Sequence, residues 1–234
     1  MNLNIAMIPY ANMAPVRTLG CPDGFAFIYL NPRQSVDAGA DGRVVAAALP
    51  TGALLEIGNQ VEPLGHYGVA ASGAVGSVLL YSKKNIALLG PSDGVHLTGQ
   101  SATSTLLLYL ILREKRERQA LPSPAAAHHM AEAVLLIGDD ALVARAWQPC
   151  NREPLNREPC LNAYPFCYDL ARLWHARFGK PMVFCRWVVR RDTPSAVKAR
   201  LLAWLGNLDT KDDALVEQSA TNEARRLGIS KSRM

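Results

Sequence analysis

Two stretches of this 234-residue chain carry side chains whose types and spacing suit the handling of an anion. The first is Gln100-Ser101-Ala102-Thr103-Ser104, an amide and three hydroxyls set directly before the apolar helical run Thr105 to Glu117. In a helix that begins there, the first N–H groups lack internal partners and lie at the positive end of the helix dipole. A carboxylate or phosphate suits that position. An N-cap role for Ser101 or Thr103 is the plain alternative. The second is Gly138-Asp139, the turn at which the buried strand-like run that begins at Ala131 stops. Acidic groups at a strand's carboxyl end meet ligands in α/β folds, and Asp139 equally suits the start of a following helix.

Other chemistries lack their residues. No phosphate-binding P-loop, dinucleotide fingerprint, nucleophile elbow or zinc-protease motif is present. His128-His129 is the one histidine pair, and neighbours on a helix diverge by about 100°, which disfavours a shared metal. The five cysteines, Cys21, Cys150, Cys160, Cys167 and Cys185, form no C-x-x-C pair. Reduced thiols and no metal site are therefore the expectation.

The elements that must position these residues alternate from the start. Strand-like runs at Ile5 to Pro9, Phe25 to Leu30, Val44 to Leu49 and Gly68 to Ser72 are interleaved with helical ones, the first opening at Pro15. This is an α/β pattern. Gly76 to Ser82 reads as a strand buried on both faces of a mainly parallel sheet, closing a first lobe over residues 1–84. Residues 85–181 read as a second lobe. Residues 182–234 return to the first through the strand Met182 to Val189, followed by helices at Ser195 to Leu205 and Asp212 to Arg226. The strands 77–82 and 182–189 are the expected two-strand hinge. Asn151 to Pro159 repeats Asn-Arg-Glu-Pro and reads as a surface loop.

Composition narrows the class further. Half the chain is hydrophobic (49%) and 19% is charged, which excludes intrinsic disorder. The net charge of +5 gathers late: up to Leu112 there are 5 basic and 6 acidic residues, and 20 and 14 after it. Much of that later charge alternates in sign, as in Arg113 to Arg118, so it reads as a solvated helix face and not as a nucleic-acid surface. Glu223 to Ser230 resembles the start of a helix-turn-helix but reads as a helix ended by Gly228. The apolar run 106–112 is far too short to span a bilayer, and the N-terminus has no leader pattern, so no membrane insertion and a cytoplasmic location are expected. Composition says nothing about the oligomeric state.

Five segments in order carry a family resemblance: Ile8-Pro9-Tyr10-Ala11-Asn12-Met13-Ala14-Pro15; Ala71 to Lys83; Ser101 to Leu108; Leu136 to Leu142; and Asp169-Leu170 through Trp174 to Trp187. Together they resemble the chorismate dehydratase family of the futalosine route to menaquinone. The resemblance implies an α/β, two-lobed periplasmic-binding-protein-like type II fold with a ligand cleft between the lobes. It implies a lyase that needs no cofactor and converts chorismate to 3-[(1-carboxyvinyl)oxy]benzoate and water. Chorismate is a dicarboxylate, and the resemblance places its donors around Ser72, Gly73 and Ser77 and at Gln100, Ser101, Thr103 and Ser104, with Tyr10 and Asp139 also at the substrate. Asn12 and Ser77 are the implied catalytic residues.

An amide is a poor general base, so Asn12 is expected to fix the substrate while another group takes the ring proton, a carboxylate of the substrate itself being one such group. Departures from the family pattern are specific. Ala14 stands where an arginine is usual, leaving Arg17 or Arg186 to meet a substrate carboxylate. Thr51 replaces a serine, Cys185-Arg186 replace small and apolar residues, and the chain ends sooner than is usual. The alternatives are 1,4-dihydroxy-6-naphthoate synthase of the same route, whose first motif carries Ser-Pro-Asp, and a non-catalytic small-anion binder of the same fold.

Overall fold

A computed structural model describes residues 3–90, 92–97, 99–100, 102–114, 123–124, 131–147, 163–209 and 212–233. The elements run β1 (Leu3–Met7), α1 (Ala14–Thr18), β2 (Phe25–Tyr29), α2 (Pro32–Ala40), β3 (Ala46–Pro50), α3 (Leu54–Ile57), β4 (Val61–Ala71), β5 (Val78–Ser82), β6 (Gly94–His96), α4 (Ala102–Glu114) and β7 (Ser123–Pro124). They continue with β8 (Ala133–Ile137), α5 (Gly138–Trp147), β9 (Phe166–Asp169), α6 (Leu170–Phe178), β10 (Met182–Arg190), α7 (Ser195–Gly206) and α8 (Asp212–Leu227). Two five-stranded sheets result, ordered β2-β1-β3-β10-β4 and β7-β6-β8-β5-β9.

The first sheet is buried on both faces, and its strands alternate accordingly. Ile5, Met7, Ala46, Ala48, Trp187 and Val189 face a core shared with Leu201, Trp204 and Leu205 of α7. Ala6, Ala47, Leu49 and Val188 face the opposite core, with Val36 of α2 and Ile57 of α3. Trp187 meets Trp204 edge to face at 5.5 Å between centroids, and the Trp204 indole N–H donates to the Gly20 carbonyl at 2.9 Å. Each large ring thus has a shaped neighbour and the polar atom is satisfied.

The second sheet repeats the logic. Val78 and Leu80 of β5 face α4 and α6 through Leu107, Leu108, Leu112 and Leu170, whereas Leu79 and Tyr81 face Ala141 and Ala144 of α5.

The structure corrects the expected connectivity in two places. The strand at 78–82 does not close the first lobe. It lies inside the second sheet, antiparallel to both β8 and β9. Nor does it pair with the return strand: β10 is antiparallel to β4, from Met182 opposite Ala71 to Arg190 opposite Val61. The chain therefore changes sheet between Ala71 and Val78, and the hinge is β4 with β10. Along β10, Phe184 joins the second lobe's core and Cys185 the first lobe's, so the crossing falls between adjacent residues. The register shifts there. Gly68 is required at this point, since a Cβ would stand 2.4 Å from the Cys185 carbonyl oxygen.

Candidate active site

The cleft opens where strand ends from both sheets converge, as ligand sites in open α/β sheets do. It encloses about 540 Å³ of space, part of it open to solvent. From the first lobe come Ile8, Tyr10, Asn12, Met13, Pro32 and Pro50, and from the hinge Val69, Phe184 and Cys185. The second lobe contributes Val75, Ser77, Val78, Thr103, Ser104, Ile137 and Gly138. The wall is largely apolar with a few polar groups, the usual composition of a small-molecule site.

Asn12 sits in the single turn Ala11–Met13 that follows β1, flanked by buried Ala11 and Met13 and itself exposed to the cleft. Ser77, Thr103 and Ser104 approach from the other lobe and are all nearly buried, at 5%, 5% and 3% exposure. Thr103 and Ser104 stand in the first turn of α4, which begins at Ala102 and not at Thr105. The Thr103 hydroxyl accepts the Gly52 N–H at 3.0 Å, which ties the loop after β3 to the start of α4 across the cleft.

Ser77 is presented by a turn that Asp169 fixes. This carboxylate accepts the N–H groups of Val75 (3.0 Å) and Gly76 (2.7 Å) while capping α6 through Ala171 and Arg172. Asp169 belongs to the segments that carry the family resemblance, but its role required the fold.

Tyr10 spans the lobes. Its phenol donates to the Gln100 side-chain oxygen in a short hydrogen bond. Burial, with Asp140 and Asp139 adding to it, pushes its pKa up to about 12, so it remains a neutral donor at physiological pH. Cys185 is likewise held protonated, its pKa raised to about 11 by burial. No other residue among the described lining has an ionisable side chain.

Several expected residues lie elsewhere. Ser72 is exposed and, with Gly73, stands outside the cleft lining, because the turn at 73–77 aims Val75 and Ser77 inward instead. Ser101 lies outside the described residues, as do Cys150, Cys160, His128-His129 and the Asn-Arg-Glu-Pro repeat. Among the described residues no cluster of three metal-ligating side chains occurs. No described helix is long and apolar enough to cross a membrane.

Asp139 does not line the cleft. Its two oxygens accept the Ala11 N–H at 2.8 Å and the Arg226 guanidinium at 2.7 Å. Arg17 does not replace the arginine absent at Ala14: it is bound to the Tyr10 carbonyl at 2.7 Å and to Glu223 at 2.5 Å. Arg186 reaches the Gly65 carbonyl at 2.9 Å, outside the cleft.

Against this geometry, comparison with known proteins is decisive for the family. A family model described as menaquinone biosynthesis matches residues 3–219. The chain belongs to the menaquinone-biosynthesis family. Its sequence is 31% identical over 224 residues to a chorismate dehydratase of Thermus thermophilus, across 94% of this chain and 81% of that protein. Membership of this family places the chain in menaquinone biosynthesis.

Solved structures agree on the fold. A protein of Archaeoglobus fulgidus superposes with a TM-score of 0.68 at 17% identity, covering 99% of this chain and 84% of that one. The periplasmic aliphatic sulphonate binding protein of Escherichia coli gives 0.63 at 14% identity, covering 99% and 80%. At such identities the likeness is one of fold alone, and that fold is the two-lobed type II arrangement expected for this family.

Proposed function

We propose that the chain is a chorismate dehydratase, a hydro-lyase that removes water from chorismate to give 3-[(1-carboxyvinyl)oxy]benzoate. The observation that carries the reading is the pairing of Asn12 from one lobe with Ser77, Thr103 and Ser104 from the other across an apolar cleft. Three hydroxyls and the first turn of α4 make a neutral donor set for a carboxylate, and the apolar wall suits a six-membered carbocycle. The 31% identical relative is named for this same reaction.

The elimination breaks a ring C–H bond and the C–O bond of the ring hydroxyl. The C–H electron pair becomes ring π density, the hydroxyl departs, and the abstracted proton completes the water. The only ionisable side chains in the described lining, Tyr10 and Cys185, both remain protonated. In this reading the substrate's own side-chain carboxylate takes the proton, while the Asn12 amide holds the ring so that this carboxylate and the leaving hydroxyl are aligned. Ser77 supports the developing charge from the facing lobe. In this reading the step uses no metal or redox cofactor, and the ligand is the small dicarboxylate.

Supplying chorismate and cyclic dehypoxanthinylfutalosine separately to the purified protein tests the assignment. Consumption of chorismate with the futalosine derivative untouched supports it. The reverse outcome identifies the dihydroxynaphthoate synthase of the same route, and binding of chorismate without turnover identifies an anion binder.

A further inference from the structure

The peptide group between Tyr10 and Ala11, immediately before Asn12, is held at both of its polar ends by side chains that are themselves joined. Its carbonyl accepts from Arg17 (2.7 Å) and its N–H donates to Asp139 (2.8 Å). Arg17 pairs with Glu223 at 2.5 Å, Glu223 accepts from the Arg226 Nε at 2.6 Å, and Arg226 returns to Asp139 at 2.7 Å. The links close a ring around one peptide. Its members come from α1 in the first lobe, α5 in the second and α8 beyond the hinge, so the ring is complete only when the lobes are together.

We infer that Asp139 is a positioning residue that sets Asn12 for the reaction when the cleft closes. The inference rests on the role given to Asn12 above. Asp139 stands at the start of α5, and its carboxylate reaches across to the backbone of the turn that carries Asn12. The hydroxyls expected to bind the substrate, on Ser77, Thr103 and Ser104, belong to the second lobe and do not depend on this bond. Substrate can therefore bind without Asp139, but Asn12 is then not delivered to it in a fixed orientation. Arg17, Glu223 and Arg226 hold the Asp139 carboxylate and the Tyr10 carbonyl in register from behind.

The test compares Asp139→Ala with Asp139→Asn in the full-length protein. A hydrogen bond to a charged acceptor is lost in the alanine variant, so kcat should fall about ten- to a hundredfold while KM changes less than about threefold. The asparagine variant keeps an oxygen for the Ala11 N–H and should recover most of kcat. Amide hydrogen exchange supplies a readout independent of turnover: exchange at Ala11 should be faster in Asp139→Ala than in the wild type, and near wild type in Asp139→Asn. Equal exchange at Ala11 in all three proteins overturns the inference, and so does a loss confined to KM. If the wild type leaves chorismate intact yet shows the Asp139-dependent protection, the assigned reaction fails and the tie stands.

Discussion

The Tyr10 ring lies directly over Gly138, so close that a Cβ on the glycine would stand 2.7 Å from the ring's Cδ2. Tyr10 precedes the Ala11–Met13 turn that follows the first strand of one lobe and Gly138 opens a helix of the other, so this is a point where the lobes touch. Gly138 also has φ +57°, a conformation that an alanine adopts only with strain. Gly138→Ala should therefore prop the lobes apart, lowering kcat/KM by about tenfold or more, at a stability cost of about 1–2 kcal/mol. Steady-state kinetics beside a denaturant titration check both parts. Unchanged kcat/KM would show that this contact is not part of the working closed form.

Asn12 has the opposite character, since its side chain faces the cleft and supports no core. Asn12→Ala should lower kcat about a hundred- to a thousandfold, the scale of losing a well-placed polar group, with unfolding unchanged within about 0.5 kcal/mol. Turnover at the normal rate by a folded variant would remove Asn12 from the mechanism.

Tyr10 carries the pH prediction. Its folded pKa of about 12 lies above the ordinary value of 10.0, so an unfolded chain gives up this proton first as pH rises. The contribution to stability is complete below pH 10 and is lost as the pH climbs through 12. A spectrophotometric titration of the wild type minus that of Tyr10→Phe should show no phenolate from this residue until well above pH 10. Ionisation near pH 10 would place the ring in water instead of between the lobes.

The first lobe's stability rests on its aromatic pair. Trp187 is 2% exposed against Trp204, and Trp187→Ala should cost about 3–5 kcal/mol in denaturant unfolding. Tyr29, at 57% exposure, should cost under about 0.5 kcal/mol when replaced by alanine. Similar losses at the two positions would contradict the packing described.

Most of what could be read in the sequence was local. The run 78–82 is buried on both faces as its apolar continuity indicates, but its sheet and antiparallel neighbours depend on residues 133–137 and 166–169, which local pattern cannot reach. β4 was legible only at its end because Pro63, Gly65 and Gly68 interrupt it; an edge strand tolerates them, and β4 is at the edge. At the site, Tyr10, Asn12 and Ser77 were indicated by the family resemblance, and Thr103 and Ser104 also by their place at a helix start; all five line the cleft. The apolar lining from Phe184 and Cys185 was not legible, because those residues read as ordinary strand. Asp139 was read as a residue at a helix start, where it stands, but its bonds to Ala11 and Arg226 were not foreseen. Its partner Arg226 is 87 residues away, and only the fold brings them together.

Purified protein incubated with chorismate tests the central claim most directly, with the diene absorbance followed in time and the product weighed by mass spectrometry. The account predicts loss of the diene and a single aromatic product lighter than chorismate by one water. Chorismate recovered unchanged from folded protein, or a product of any other mass, would contradict it.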